Sequence, residues 1–489
     1  MFNTLKIQLF RNIHEQKRVI QEYKSQIKMS ESKESPSKRT RDEHRQLIVV
    51  PDMEGRKDRG LTGMIKLSSM LDSKAFEMDV EPFRIADNTA LLLIGDVIDK
   101  GKNNLEILKD LNQVMERQPD QIVAIAGNRD FNKLRFLFEL SAAGLDMQTL
   151  STSHLTYRLT SWVKLFADFM VSDKCNVDGT KVEYTHGENF EQDRILKMKF
   201  MFEFTMGCPT AFADFASEIG STSDVQTVKE YLKLIEPDGV LSTYLKKSKL
   251  AHVENGTIYV HGGITSSSLG YVPGNSFKFL DVLEWVDELN KWYLNCLECA
   301  WKNDADGFYP LAAYQEPYVV EENGETFWSL SKPNPISVVH GRPWTMDFKL
   351  DFLEPEVLLA LKNAGINRLV HGHSPVGWFP ICQTRDKFQV VSTDISIIGD
   401  STFILVEPDK CTMLTRYPKT PDQIYLVKSV QSLEFDQKQL LSDGMEHYVG
   451  IMYTTDMTEI GFLSCKFQNV NNKHAQAVYA APLFSAESF

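Results

Sequence analysis

The chain has 489 residues, with Lys+Arg 53 against Asp+Glu 66 for a formal net charge of −13. That balance excludes a sequence-independent grip on nucleic acid or anionic membrane as its main business. Hydrophobic residues at 43% and aromatics at 11% exclude a chain disordered throughout. No apolar run approaches the roughly 20 residues that cross a bilayer, so no membrane span is expected. The 7 Cys suit a reducing compartment. The first residues, MFNTLKIQLFRNIHEQKRVIQEYK, carry charges where a signal peptide has its apolar centre. A cytoplasmic or other reducing location is therefore expected, and delivery into a host cell as a bacterial effector fits the same features.

Residues 1–45 read as a charged arm and linker, with 11 basic against 6 acidic residues. Phe10, Ile13, Ile20, Tyr23 and Ile27 fall near a helical stripe, so residues 4–28 suit a partner helix, the alternative being a loosely attached tail. At Gln46 the texture changes. RQLIVVPDMEG, TALLLIGDVIDKG (89–101) and QIVAIAGNRDF (121–131) each run apolar and then end in Gly, acid or amide. This pattern marks buried strands that carry polar groups to a sheet edge. The helical run NNLEILKDLNQVMERQ between the last two completes a βαβ unit.

Residues 132–250 are mainly helical in pattern and are expected as an insertion over one side of the sheet. Cys296 and Cys299 lie in a helical run (FLDVLEWVDELNKWYLNCLECAWK) with no second pair to complete a zinc site, and are expected as core cysteines. Strands resume at 256–264, 337–344, 367–375, 388–397 and 401–408; beyond 408 the β-rich runs form either a small accessory module or extra strands on the main body. The expected fold is α/β, two packed mixed β-sheets flanked by helices. The expected domains are the arm 1–45, a catalytic body 46–408 and a C-terminal extension 409–489.

Asp52 with Glu54, Asp96 with Asp99, Asn128 with Asp130, His261 and His373 all follow short apolar runs, and all carry groups that bind hard or borderline metals. Asp96 and Asn128 are 32 residues apart, one βαβ step, which brings them to adjacent strand ends. A carboxylate between two cations, ringed by imidazole and amide, suits two-metal hydrolysis. The absence of a Walker or dinucleotide fingerprint leaves kinase, NTPase and dehydrogenase readings without support.

In PDMEG (51–55), GDVIDKG (95–101), GNRD (127–130), HGGI (261–264) and GHSP (372–375), taken in that order, the chain resembles the calcineurin-like metallophosphoesterases, within them the phosphoprotein phosphatase branch. The resemblance covers 46–408. It implies that Asp52 and Asp96 hold one divalent metal ion, and that Asp96, Asn128, His261 and His373 hold a second, with Mn expected and Fe or Zn as alternatives. It implies hydrolysis of a phosphorylated protein or peptide by a metal-activated water.

Two departures stand out. Glu54 replaces a family His ligand, and as a carboxylate it shifts preference toward Mn. Arg129 replaces the His that protonates the leaving group; a guanidinium cannot release a proton, so its expected role is a clamp on the phosphoryl group, oriented by Asp99 or Asp130. A phenolate leaves without that proton most easily, which favours phosphotyrosine, with phosphoserine or phosphothreonine as alternatives. Lys100 stands for a family Arg as a phosphate binder. Arg342 is a further candidate phosphate binder, or else a surface residue in a turn. His186 and His340 are alternatives to His261, and His371 to His373. Asp394 is an orienting candidate or a turn cap. Rival readings are a nucleotide or dinucleoside-polyphosphate hydrolase of the same superfamily and a catalytically silent phosphatase-like scaffold.

Overall fold

A computed structural model of the chain describes residues 45–70, 74–78, 80–145, 169, 175–181, 189–315, 319–322, 325–328, 334–342, 352–375, 379–395, 401–420, 423–433, 446–454, 459–469 and 475–479. All belong to one compact unit, Arg45–Phe489. The expected N-terminal partner helix and His186 lie outside the described residues.

The strands of the two main sheets are, in chain order, β1 (Gln46–Val50), β2 (Thr89–Leu93), β3 (Ile122–Ile125), β4 (Ser248–Lys249), β5 (Ala251–Glu254), β6 (Thr257–Val260), β7 (Arg368–His371), β8 (Ile381–Arg385), β9 (Phe388–Ser392), β10 (Thr402–Val406), β11 (Lys410–Thr420), β12 (Gln423–Ser432), β13 (Glu446–Thr454), β14 (Glu459–Asn469) and β15 (Ala475–Tyr479). The larger sheet runs β15-β14-β13-β12-β11-β10-β1-β2-β3-β4, and the smaller β8-β9-β7-β6-β5. The fold is thus α/β, as expected.

The central strands read as unbroken apolar runs because both of their faces are buried. In β1 and β2 the period of two divides the side chains cleanly. Leu47, Val49, Ala90 and Leu92 face one core shared with Tyr259, Val370 and Val391 of the second sheet. Ile48, Val50, Leu91 and Leu93 face a second core that includes helix residues. The helix Asn104–Arg117 joins parallel β2 and β3, burying Ile107, Leu108, Leu111, Val114 and Met115 along one stripe. Register aligns the strand ends: Val50 pairs with Leu93, and Leu93 with Ala124. In the other sheet Val260 pairs with His371, and His371 with Ser392. Two sets of loops therefore leave two sheets at matched levels.

The insertion is mainly helical where described, at Phe190–Phe200, Ala211–Glu218, Asp224–Ile235 and Val240–Lys247, with a short antiparallel hairpin of Asn176–Val177 and Thr180–Lys181. Cys296 is buried in the core on the helix Val282–Trp301, Cys299 is half-buried beside it, and both are free. The strands beyond 408 extend the larger sheet, β10 through β15 pairing antiparallel in succession. One expectation is corrected: 337–342 is turn rather than strand. Ser337 Oγ accepts the backbone N–H groups of Val339 and His340, each at 3.0 Å, closing a side-chain-capped turn that competes with a ladder. None of the described helices is long and apolar enough to cross a membrane.

Arg45, just before β1, ties the sheets together. Its Nε donates to Glu254 Oε1 at 3.0 Å and its second arm to Oε2 at 2.8 Å, while His252 Nε2 lies 3.0 Å from the same carboxylate. Burial alone would raise the Glu254 pKa, but hydrogen bonds from His252 and Arg45 outweigh it and bring it down to about 2. A carboxyl depressed on folding stabilises above its unfolded pKa and loses that contribution as pH falls through the folded value. Glu254→Gln should therefore cost about 1 kcal/mol at neutral pH. Thermal melts from pH 7 to 2 should show the difference from wild type shrinking below about pH 4.5 and lost only near pH 2; a constant difference would count against this ion pair.

Candidate metal centre

Four residues at the strand ends adopt left-handed backbone although none is glycine: Glu54 (φ 48), Asp96 (φ 49), Asp99 (φ 118) and His373 (φ 63). Such conformations cost of order 1–3 kcal/mol and persist only where surroundings enforce them. The enforcement is visible. Glu54 N donates to Asp96 O at 2.8 Å and Gly55 N to Val97 O at 2.9 Å, lacing the β1 and β2 loops together. Asp130 then accepts the backbone N–H groups of Asp96 (3.0 Å), Val97 (2.9 Å) and Gly127 (2.8 Å), lacing β2 to β3. Two glycines permit the contact: a Cβ on Gly127 would lie 2.2 Å from Asp96 N, and one on Gly372 2.1 Å from Asp52 Oδ1.

Asp96, His261 and His373 each present a ligand atom within 4.8 Å of the others. Asn128 Oδ1 joins them, 3.1 Å from His261 Nε2 and 3.0 Å from His373 Nδ1. His261 Nδ1 is 2.9 Å from the Ile94 carbonyl; donating there fixes the tautomer and leaves Nε2 facing the cluster. His373 is held by its backbone N–H on Asp52 Oδ2 at 2.8 Å. Asp52 Oδ1 and His373 Nε2 are buried without a hydrogen-bond partner, as polar atoms at a ligand site are. Burial disfavours a charged imidazole, yet Asp96 lifts the His261 pKa to about 10, while His261 and Arg129 overcome burial and lower Asp96 to about 2. Two imidazoles, an amide and a carboxylate fit one borderline divalent cation.

In the other expected donor set, that of Asp52 and Asp96, Glu54 does not stand free for an ion. Both Glu54 oxygens are taken: Lys100 Nζ at 2.5 Å and Arg129 Nε at 3.2 Å lie on Oε1, and Arg56 at 2.6 Å on Oε2. Burial would raise the Glu54 pKa, but these three cations, Arg129 foremost, lower it. The Glu54 carboxylate, expected as a metal ligand, here anchors cations that the neighbouring loops supply. Lys100 is oriented by that pair.

Arg129 donates its backbone N–H to Asp96 Oδ1 at 2.9 Å, and its Nε lies 3.3 Å from Asp96 Oδ2. Its NH1 donates to the Met206 carbonyl at 3.1 Å and sits 3.7 Å from Asp99 Oδ2. Burial pulls its pKa down, but Glu54, Asp96 and Asp99 push it above the ordinary value. Of the two expected orienting acids it is Asp99 that faces Arg129; Asp130 is spent on backbone. Met206 follows the π-helical turn Met201–Thr205, so the insertion reaches the site.

The alternative histidines separate. His371 is fully buried with Nε2 2.8 Å from Ser392 Oγ and Nδ1 3.1 Å from the Gly372 carbonyl, a satisfied core residue. His340 packs its ring 4.7 Å from that of His373 and lines the site without displacing His261. Arg342 is half-buried, with Asp394 among the charges acting on it, and is no surface turn residue. Burial and Asp394 raise the Asp52 pKa well above the usual carboxylate range. Sequence reasoning missed Arg56, the lacing role of Asp130 and Lys133, whose Nζ is fully buried 2.6 Å from Asp99 Oδ2. A signal for Lys133 existed: a lysine inside the aromatic run FNKLRFLF must find a partner.

No protein-family model matches the sequence, and no curated protein matches it. Among solved structures, the chain is similar to a cold-active protein-tyrosine phosphatase of a psychrophile, Shewanella sp., at 14% identity over 78% of this chain and 84% of that one, TM-score 0.37. A further structure of a cold-active protein tyrosine phosphatase gives 17% identity, 80% of each chain and TM-score 0.40. A protein serine/threonine phosphatase from Saccharomyces cerevisiae gives 12%, 75% of this chain, 74% of that one and 0.29. At such TM-scores the likeness carries no functional weight, which falls on the geometry of the site.

Proposed function

We propose that the chain is a metal-dependent phosphatase acting on phosphomonoesters, with phosphorylated protein as substrate and phosphotyrosine favoured over phosphoserine or phosphothreonine. The observation that carries this reading is the convergence of Asp96, Asn128, His261 and His373 beside the Arg129 guanidinium. A divalent cation held by these four, Mn by preference with Fe or Zn as alternatives, supplies Lewis acidity toward water and a phosphoryl oxygen. The chain's own groups do the rest. Arg129, Lys100 and Arg342 offer positive charge to the phosphoryl oxygens, and Asp99 and Met206 hold Arg129 in one orientation. A guanidinium whose pKa is raised by three carboxylates releases no proton to the leaving oxygen. Phenolate needs that proton least, which supports the tyrosine preference.

With Mn, the purified chain should hydrolyse p-nitrophenyl phosphate and phosphotyrosine peptides at least about tenfold faster than phosphoserine peptides, a difference of about 1.4 kcal/mol in barrier. Equal rates would remove the leaving-group argument. Turnover confined to dinucleoside polyphosphates would favour a nucleotide hydrolase, and no turnover with any divalent metal would favour a silent scaffold, a reading that the fully paired Glu54 also suits.

A further inference from the structure

We infer that the centre is mononuclear: one divalent cation among Asp96, Asn128, His261 and His373, with the Arg129 guanidinium standing in for a second. The inference rests on the metal-site reading above.

The guanidinium bridges the carboxylates a second ion would need. Its Nε lies 3.2 Å from Glu54 Oε1 and 3.3 Å from Asp96 Oδ2. It is also fixed rather than loosely placed, for its side chain is 14% exposed and its NH1 is held by the Met206 carbonyl and Asp99. An ion entering here would have to displace it from a buried pocket whose polar groups it satisfies. Glu54 could not follow that ion freely, since Lys100 at 2.5 Å and Arg56 at 2.6 Å would remain on it. Those cations would also repel an incoming divalent charge, with little water between to screen them.

The substitutions at 54 and 129 thus compensate each other. A carboxylate in the first position would leave buried negative charge, and an arginine in the second would leave buried positive charge. Together they form a pair that delivers fixed positive charge beside the Asp96 carboxylate. Asp52 stays in the cluster through the His373 backbone N–H, positioning that ligand from behind.

Metal content tests this directly. The full-length chain, stripped of metal, is equilibrated with Mn, freed of excess by gel filtration, and measured by elemental analysis and electron paramagnetic resonance. The expected result is one Mn per chain with an uncoupled six-line spectrum, falling to zero in His261→Ala. Two Mn per chain with an exchange-coupled spectrum would overturn the mononuclear inference while leaving the metal site standing. Zero Mn in the wild type would overturn both. One Mn retained in His261→Ala would put the ion elsewhere and overturn the assignment. The double variant Glu54→His with Arg129→His should rise from one Mn to two; a folded double variant that stays at one would show that these two residues are not what excludes the second ion. Circular dichroism checks folding, and if the double variant fails it the wild-type count decides alone.

Discussion

Asp96→Asn will lower metal-dependent phosphatase turnover on the order of a thousandfold, about 4 kcal/mol in transition-state stabilisation. Asp96 is the residue on which every arm of the site converges. Its Oδ1 accepts the Arg129 backbone N–H and faces His261 Nε2 at 3.3 Å, and its Oδ2 faces the Arg129 side chain. An amide nitrogen in either place would set donor against donor and remove the charge that holds cations there. The measurement is steady-state hydrolysis of p-nitrophenyl phosphate with Mn, alongside Mn content and a thermal melt. A folded variant that keeps more than a tenth of wild-type turnover would refute the central role of this carboxylate.

Lys133→Ala should destabilise the fold by about 3–5 kcal/mol, because it leaves Asp99 buried and without its principal counter-charge. Lys133 Nζ lies 2.6 Å from Asp99 Oδ2 and 2.7 Å from Asn132 Oδ1, and it sits 5.7 Å from the centre of the Phe202 ring. Removing both charges together, in Lys133→Met with Asp99→Asn, should recover a large part of the loss, since it is the solitary ion rather than the missing pair that is costly. Urea unfolding midpoints of the single and double variants test this. A single-variant loss under about 1 kcal/mol would mean that water or Arg129 satisfies Asp99 unaided. Because Asp99 also faces Arg129 at 3.7 Å, the double variant should unfold like a stable protein while losing orientation at Arg129.

These two residues differ in how far sequence reached them. Asp96 follows TALLLIG, and the apolar run, the glycine and the 32-residue step to Asn128 are local or single-unit features that place a carboxylate at a strand end. The same local logic reached Asn128, His261 and His373. It failed at 337–342, where Val338 and Val339 look like a strand but Ser337 closes a turn. It did not reach the ion pairs of Glu54, whose carboxylate meets Arg56, Lys100 and Arg129.

The amino-acid sequence by itself thus determined an α/β chain of strands with polar ends and the residue types gathered there, because hydrophobic period and turn chemistry act over a few residues. Tertiary structure alone decided the partners of those ends: Glu54 bound to Arg56, Lys100 and Arg129, Asp130 spent on backbone, and His371 turned to Ser392. Charges from loops many residues apart meet only when the sheets pack, and in a buried site the nearest opposite charge, not the motif, sets what a carboxylate does.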